Sequence, residues 1–299
     1  MTTTLFHNRP AVAIANDLIR VTILVRGGHI AEIQELSTGV NPLWIPPWLD
    51  EPNPDFGNNC ETRLLEGIMG HNLCLDLFGP PSEAEEKAGV VAHGEGGIEP
   101  YTFEETPEGL ISRCLLAQSQ LTFERTITLE GRLIRFRETV ENLSTLDKPI
   151  GWTQHITFGP PFMEHGATLF RWPYTHSSVM NEAYTAYLMD EPAWFAAWSP
   201  VEKTAIAYRW SRADFPWMGI WKENRGRTHT PWNGRTVTQG MEFGVSPFPE
   251  TRRAMIERGK MFDTPCYRWI GAKEKLTAEY QAVIAPADAL PESFSSLSK

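Results

Sequence analysis

Cysteine is scarce in this chain of 299 residues. The four present, Cys60, Cys74, Cys114 and Cys266, show no C-x-x-C spacing, which argues against a disulfide framework or a thiolate zinc site. Reduced, buried thiols are the expectation. Long apolar runs are missing too: LIRVTILV is broken by Arg20 and is far too short to span a bilayer. The N-terminus, MTTTLFHNRPAVAIAND, has neither the basic start nor the apolar run of a signal peptide. Positive charge is in deficit, with 27 Lys and Arg against 37 Asp and Glu and a formal net charge of −10. No basic stripe interrupts that balance, so neither nucleic acid nor a membrane is an expected partner. A soluble cytoplasmic protein is the simplest expectation. The oligomeric state leaves no readable mark.

Apolar and aromatic residues are plentiful by contrast. Hydrophobic residues make up 41% of the chain, with 11 Trp and 15 Phe, enough for a substantial core and against disorder. Period-two patterning dominates. DLIRVTILV, HIAEIQEL, LISRCLLA, LTFERTITLE, RLIRFRETVEN and TAEYQAVIA alternate or run β-branched, with Gly, Pro, Asn or Asp between them. LTFERTITLEGRLIRFRETVENLS reads as a hairpin turning at Glu130-Gly131. No stretch sustains an amphipathic helical period, and residues 61–70, 82–88 and 250–260 are the short helix candidates. The 23 prolines and 23 glycines fall mostly between the runs, as many short strands joined by turns require. There is no internal repeat, low-complexity linker or shift in composition. Residues 1–299 are therefore expected to form one all-β domain, a large antiparallel β-sandwich. Its longest irregular stretches, 41–60, 76–102 and 222–236, are where function is expected to sit.

Three segments place ionisable groups in such settings. VVAHGEGGIEPY sets His93 before Gly94 in a glycine-rich loop. GWTQHITFGPPFMEHG puts His155 late in an aromatic strand, just before the Gly159-Pro160-Pro161 corner. FPWMGIWKENRG is followed by TQGMEFGVSPFPE, where Glu242 lies in an apolar strand. Taken singly, each His is most simply a packed, hydrogen-bonded ring, and Glu242 a solvated side chain. Together, two groups that titrate near neutrality and one carboxylate suit acid–base work on a hydroxyl and an ether oxygen. The same three with His71 are also what a metal-dependent β-fold enzyme would offer, although no His-x-His pair occurs. RTHTPWNGR, with Arg225, Arg227 and Arg235 around it, would suit a phosphorylated sugar. Its simplest reading is a solvated basic loop.

In order and context these segments resemble the galactose mutarotase-like superfamily, which contains the aldose 1-epimerases. WTQHITFGPPFME is similar to the stretch bearing that family's second histidine, with Ile156 where one branch has Pro. AHGEGG resembles its His-Gly-Phe loop, with Glu95 in place of Phe, and FPWMGIWKE with GMEFGVSPF fits the late pair of strands that bears the catalytic Glu. The likeness spans roughly residues 15–285. It implies a β-super-sandwich, a small-molecule carbohydrate as ligand, no cofactor and no metal. The implied reaction is mutarotation, the interconversion of α and β anomers by acid–base ring opening. Glu242 would be the base and His155 the acid, with His93 orienting or polarising the ring oxygen and C1. The sugar-binding arginine of many mutarotases has Arg63 or His71 as its counterpart here. Asp190, in YLMDEPAW, would contact hydroxyls, and Trp152, Trp217 or Trp221 would offer an indole platform. For any single Trp the default is a place in the core. A non-catalytic carbohydrate-binding protein of the same fold stays open, as does an isomerase acting elsewhere on the sugar. A polysaccharide lyase is disfavoured by the lack of the helical domain many lyases carry.

Overall fold

Alternating polarity translates directly into strands. The computed structural model of the chain describes residues 1–52 and 54–297. It opens with β1 (Thr2–Phe6), β2 (Arg9–Ala15), β3 (Ile19–Leu24), β4 (Ile30–Glu35) and β5 (His71–Asp76). Next come β6 (Thr102–Thr106), β7 (Gly109–Leu116), β8 (Leu121–Glu130), β9 (Leu133–Asn142) and β10 (Lys148–Phe158). Then follow β11 (Leu169–Arg171), β12 (Tyr174–Asn181), β13 (Tyr184–Met189), β14 (Ala193–Ser199), β15 (Thr204–Trp210), β16 (Trp217–Asn224) and β17 (Val237–Gly244). The short β18 (Lys260–Met261), β19 (Thr264–Pro265) and β20 (Arg268–Ile270) precede the long β21 (Lys275–Pro286). Helices are brief: α1 (Thr62–Leu65), α2 (Glu83–Lys87) and α3 (Arg252–Arg258), each inside one of the three helix candidates.

Two large sheets result. One is 11-stranded, in the order β1-β2-β3-β4-β5-β10-β17-β16-β13-β12 with β20 attached to β10; the other is 8-stranded, in the order β11-β14-β15-β21-β9-β8-β7-β6. Their pairings are antiparallel. The β8–β9 hairpin turns where expected: Glu130 pairs with Leu133, and Gly131 takes the positive φ of 58° that so tight a loop requires.

One core lies between the two sheets. The larger sheet contributes Ile19, Val21, Leu73, Leu75, Trp152, Ile156, Phe158, Met241 and Phe243; the smaller contributes Phe123, Ile134, Phe136, Phe195, Tyr208 and Tyr280. Burial at roughly 25 cal/mol per Å² of apolar area drives this stacking. The core also holds a charged network. Arg125, 1% exposed, donates to Glu138 at 2.7 Å, and Glu138 also accepts from Trp152 (3.2 Å), Gln154 (2.7 Å) and Tyr280 (2.8 Å). Such a pair is tolerable inside only because each partner is hydrogen-bonded. Among the described residues no helix is long and apolar enough to cross a membrane.

Candidate functional site

Strand parity decides which side chains leave the core. On β10, Trp152, Gln154, Ile156 and Phe158 point between the sheets, so Thr153, His155 and Thr157 must point the other way. Register then lines up a row across four strands. His155 stands opposite Asn72 of β5 on one side and Glu242 of β17 on the other, and Glu242 stands opposite Gly219 of β16. His155 Nε2 lies 3.0 Å from Glu242 Oε1. His155 Nδ1 lies 3.0 Å from Thr157 Oγ1 on the same face. The row is almost sealed, with His155 8%, Glu242 2% and Asn72 1% exposed.

Two glycines make room for this arrangement. A Cβ at Gly240 would sit 2.7 Å from Glu242 Oε1, and one at Gly219 would sit 1.7 Å from Tyr184 Oη. Both distances are below contact, so neither position admits a side chain without a shift. Tyr184 fills the space over Gly219 and donates to the Pro247 carbonyl at 3.2 Å. Burial, with the nearby Glu242 carboxylate, pushes its phenol well above the usual range and keeps it a donor.

Above this floor is a cavity of about 320 Å³. Trp44 and Trp232 wall it, stacked with ring centroids 5.8 Å apart, with Leu64, Leu65 and Ile68 from the α1 region and Met180 from β12. Trp44 from the first long stretch and Arg227 and Trp232 from the last thus form part of its walls. Gly159 permits one of them: a Cβ there would lie 2.7 Å from Trp44 Cα.

His93 enters from its glycine-rich loop, with its ring 6.0 Å from that of His155 and edge-on. Gly94 follows because the backbone passes hard against β5, where a Cβ would meet the Leu75 carbonyl at 2.0 Å. Burial first, then the neighbouring His155 and Arg227, drives His93 far below the usual imidazole range, so it is neutral near pH 7. Glu95, in the place of the family's Phe, turns away from the cleft. It accepts from the Gln118 amide (3.0 Å) and from the Ser119 amide (2.8 Å) and hydroxyl (2.9 Å).

Of the candidates read from sequence, the cleft gathers His93, His155, Trp221 and Glu242. Five others lie elsewhere. His71 is one residue off in parity: it points into the core, 3.0 Å from Gln154 and among the rings of Phe136, Tyr208 and Tyr280, and Asn72 faces the cleft instead. That also removes His71 from any metal set with His93, His155 and Glu242, and among the described residues no group of three His, Cys, Asp or Glu converges on a metal position. Trp152 is core for the same reason, its indole N–H spent on Glu138. Trp217 shares the face of Trp221 but is covered by Cys266 and Leu188 and donates to the Pro265 carbonyl at 2.8 Å. Arg63 is exposed and pairs with Glu99 at 3.2 Å, outside the cleft. Asp190 follows the end of β13 and accepts from Thr175 at 2.5 Å, also outside it. The basic loop is not wholly solvated. Arg235 is tied to Glu51, while Arg227 turns inward to cover the indoles of Trp221 and Trp232 at 5.0 and 4.6 Å. Asn72, Thr157, Tyr184 and Trp44 also line the cleft. Thr157 follows from His155 by strand parity, whereas only register, which is non-local, brings Asn72 and Tyr184 there.

No family model matches the chain, and no curated protein sequence matches it. Solved structures do. A galactose mutarotase-like protein from Clostridium acetobutylicum superposes with a TM-score of 0.71 over 95% of this chain and 98% of its own, at 11% identity. A candidate aldose 1-epimerase from Klebsiella pneumoniae gives 0.70 over 94% and 80%, at 15% identity. A galactose mutarotase-like protein from Lactobacillus casei gives 0.65 over 92% and 100%, at 12% identity. The chain has the galactose mutarotase-like sandwich fold.

Proposed function

We propose that the chain is an aldose 1-epimerase, opening and reclosing a sugar ring between its α and β anomers. The observation that carries this reading is the 3.0 Å contact between His155 Nε2 and Glu242 Oε1 on the floor of a cavity large enough for a monosaccharide. A sugar entering the cavity replaces that contact. Glu242 takes the proton of the anomeric hydroxyl, C1=O forms, and the C1–O5 bond breaks with its electron pair on O5, which takes a proton from His155. Rotation about C1–C2 presents the other face of the aldehyde; on closure the O5 hydroxyl gives its proton back to His155 as O5 attacks C1, and Glu242 returns its proton to O1. No net proton is needed.

The surroundings suit these roles. Thr157 Oγ1 can accept from a protonated Nδ1 or donate to a bare one, so His155 keeps a partner in either state. Neutral His93 can hydrogen-bond near O5 without adding a like charge beside His155. The structures bearing epimerase and mutarotase-like names supply the analogy of fold.

The test is anomeric exchange, by NMR or polarimetry, on freshly dissolved α-D-glucose, α-D-galactose and their uronic acids. The wild-type protein is expected to accelerate exchange for at least one, and Glu242→Gln to lose about 10²- to 10⁴-fold, the usual worth of a positioned base. Exchange unchanged in Glu242→Gln would remove Glu242 from the chemistry. Sugar binding without exchange would make the chain a carbohydrate-binding protein.

A further inference from the structure

We propose that the substrate is an acidic sugar, a hexuronate, whose carboxylate is received by Arg227. This inference rests on the sugar-handling reading above and adds to it the class of sugar. Among the described residues Arg227 is the one Lys or Arg side chain lining the cleft. Its guanidinium lies over two indoles, 5.0 Å from Trp221 and 4.6 Å from Trp232. Stacking of this kind fixes the plane of the fork without consuming any of its N–H groups. The acidic neighbour, Glu223, comes no nearer than 3.6 Å, at Nε, beyond hydrogen-bond length. That carboxylate already accepts from the backbone amides of Gly226 (2.6 Å) and Arg227 (3.1 Å). The two terminal nitrogens make no hydrogen bond within the described residues. A held, flat, unspent pair of donors is what a carboxylate takes in two parallel bonds.

Placement agrees with chemistry. The ring of His155 lies 6.1 Å from that of Trp221, against which Arg227 packs at 5.0 Å. The acid–base pair and the fork thus flank one indole. In a pyranose uronic acid the anomeric carbon and C5, which bears the C6 carboxylate, flank the ring oxygen, so one molecule can reach both. The same packing means that a sugar meets a guanidinium where a bare indole face was expected. A phosphate would ask for more. Doubly charged phosphoryl groups are ordinarily held by several donors; of the other two loop arginines, Arg225 does not line the cleft and Arg235 is committed to Glu51.

The experiment is calorimetric titration of the wild-type protein at pH 7 with D-glucuronate, D-galacturonate, the two parent hexoses, glucose 6-phosphate and glucosamine. A uronate is expected to bind on the order of 10- to 100-fold more tightly than its neutral parent, the worth of a charge-assisted pair. The advantage should shrink with added salt. Arg227→Gln should bring the acid down to the level of the neutral hexose, and Arg227→Lys should restore only part of the difference, thermal melts confirming that both variants fold. If Arg227→Gln does not fold, the wild-type comparison and Arg227→Lys decide. No uronate binding, equal affinity for acid and parent, or a preference that survives Arg227→Gln overturns the proposal. Tighter glucose 6-phosphate overturns the carboxylate, and tighter glucosamine would move recognition to Glu61, which also faces the cleft. Binding is read here without turnover, so the two readings fail separately. A chain that holds glucuronate through Arg227 but exchanges no anomers loses the reaction and keeps this inference. One that exchanges glucose but binds it as well as glucuronate does the reverse.

Discussion

Gly240 lies directly against the proposed acid–base pair. A Cβ there would press on Glu242 Oε1 at 2.7 Å and lie 3.4 Å from His155 Cε1, so Gly240→Ala should displace the carboxylate while the strand itself forms. A displacement of about 1 Å costs on the order of 10²-fold in rate. The expected result is a folded protein with little change in melting temperature and a kcat for anomeric exchange reduced by that factor. Wild-type exchange in the variant would show that the pair is not where the chemistry happens. At this scale the sequence was readable as far as residue type and alternation reach. His155 and Glu242 stand out as ionisable groups in apolar strands. Trp152 was misplaced although parity forbids it, since an odd spacing from His155 puts it on the opposite face. Arg227 stood out only as one of three loop arginines whose simplest reading was solvation, because nothing local to RGRTHTPW says which way a loop arginine turns.

Elements divide along the same line between local and distant. The β8–β9 hairpin and the three short helices follow from neighbouring residues: a glycine in a tight turn, or Ser82 capping α2 with its hydroxyl on the Glu85 amide. The flanking of β10 by β5 and β17 joins residues some 80 positions apart in sequence, as in the pairs His155–Asn72 and His155–Glu242. Periodicity marks each strand but not its partner, which is why Asn72 was passed over for His71. A consequence belongs to β13 and β16. Gly219→Ala would set a methyl 1.7 Å from Tyr184 Oη, forcing the ring off its bond to Pro247 and toward the cavity. Overpacking of this kind costs about 1–3 kcal/mol, measurable as a lower denaturation midpoint. An unchanged midpoint would show that β13 gives way freely.

The whole molecule carries a linked dependence on pH. Burial pushes His29 down to about 3 and drives His71 and His93 well below the usual imidazole range. The unfolded chain binds protons on these rings near pH 6.5, whereas the folded chain keeps them neutral. Their contribution is therefore fully present above about pH 6.5 and is lost as pH falls toward the folded-state values. Each such ring adds up to about 1.4 kcal/mol per pH unit to the slope. Urea midpoints taken from pH 7.5 to 5 should begin to drop near 6.5, before ordinary carboxylates titrate, and His29→Leu should show a shallower fall. A flat profile over that range would mean the rings take up protons in the folded state.

β10 and β17 lie side by side well inside the larger sheet, hydrogen-bonded on both flanks. The backbones that carry His155 and Glu242 cannot part without unzipping a ladder. The walls around them are different in kind: the Trp44 stretch, the His93 loop and the segment bearing Arg227 and Trp232 are connections, the parts of a fold that change most freely. The proposed reaction and the proposed choice of sugar thus fall to separate passages of one chain. A designer seeking another sugar would graft loops and leave the two strands untouched, and the proposed proton-handling pair would greet the new guest unchanged.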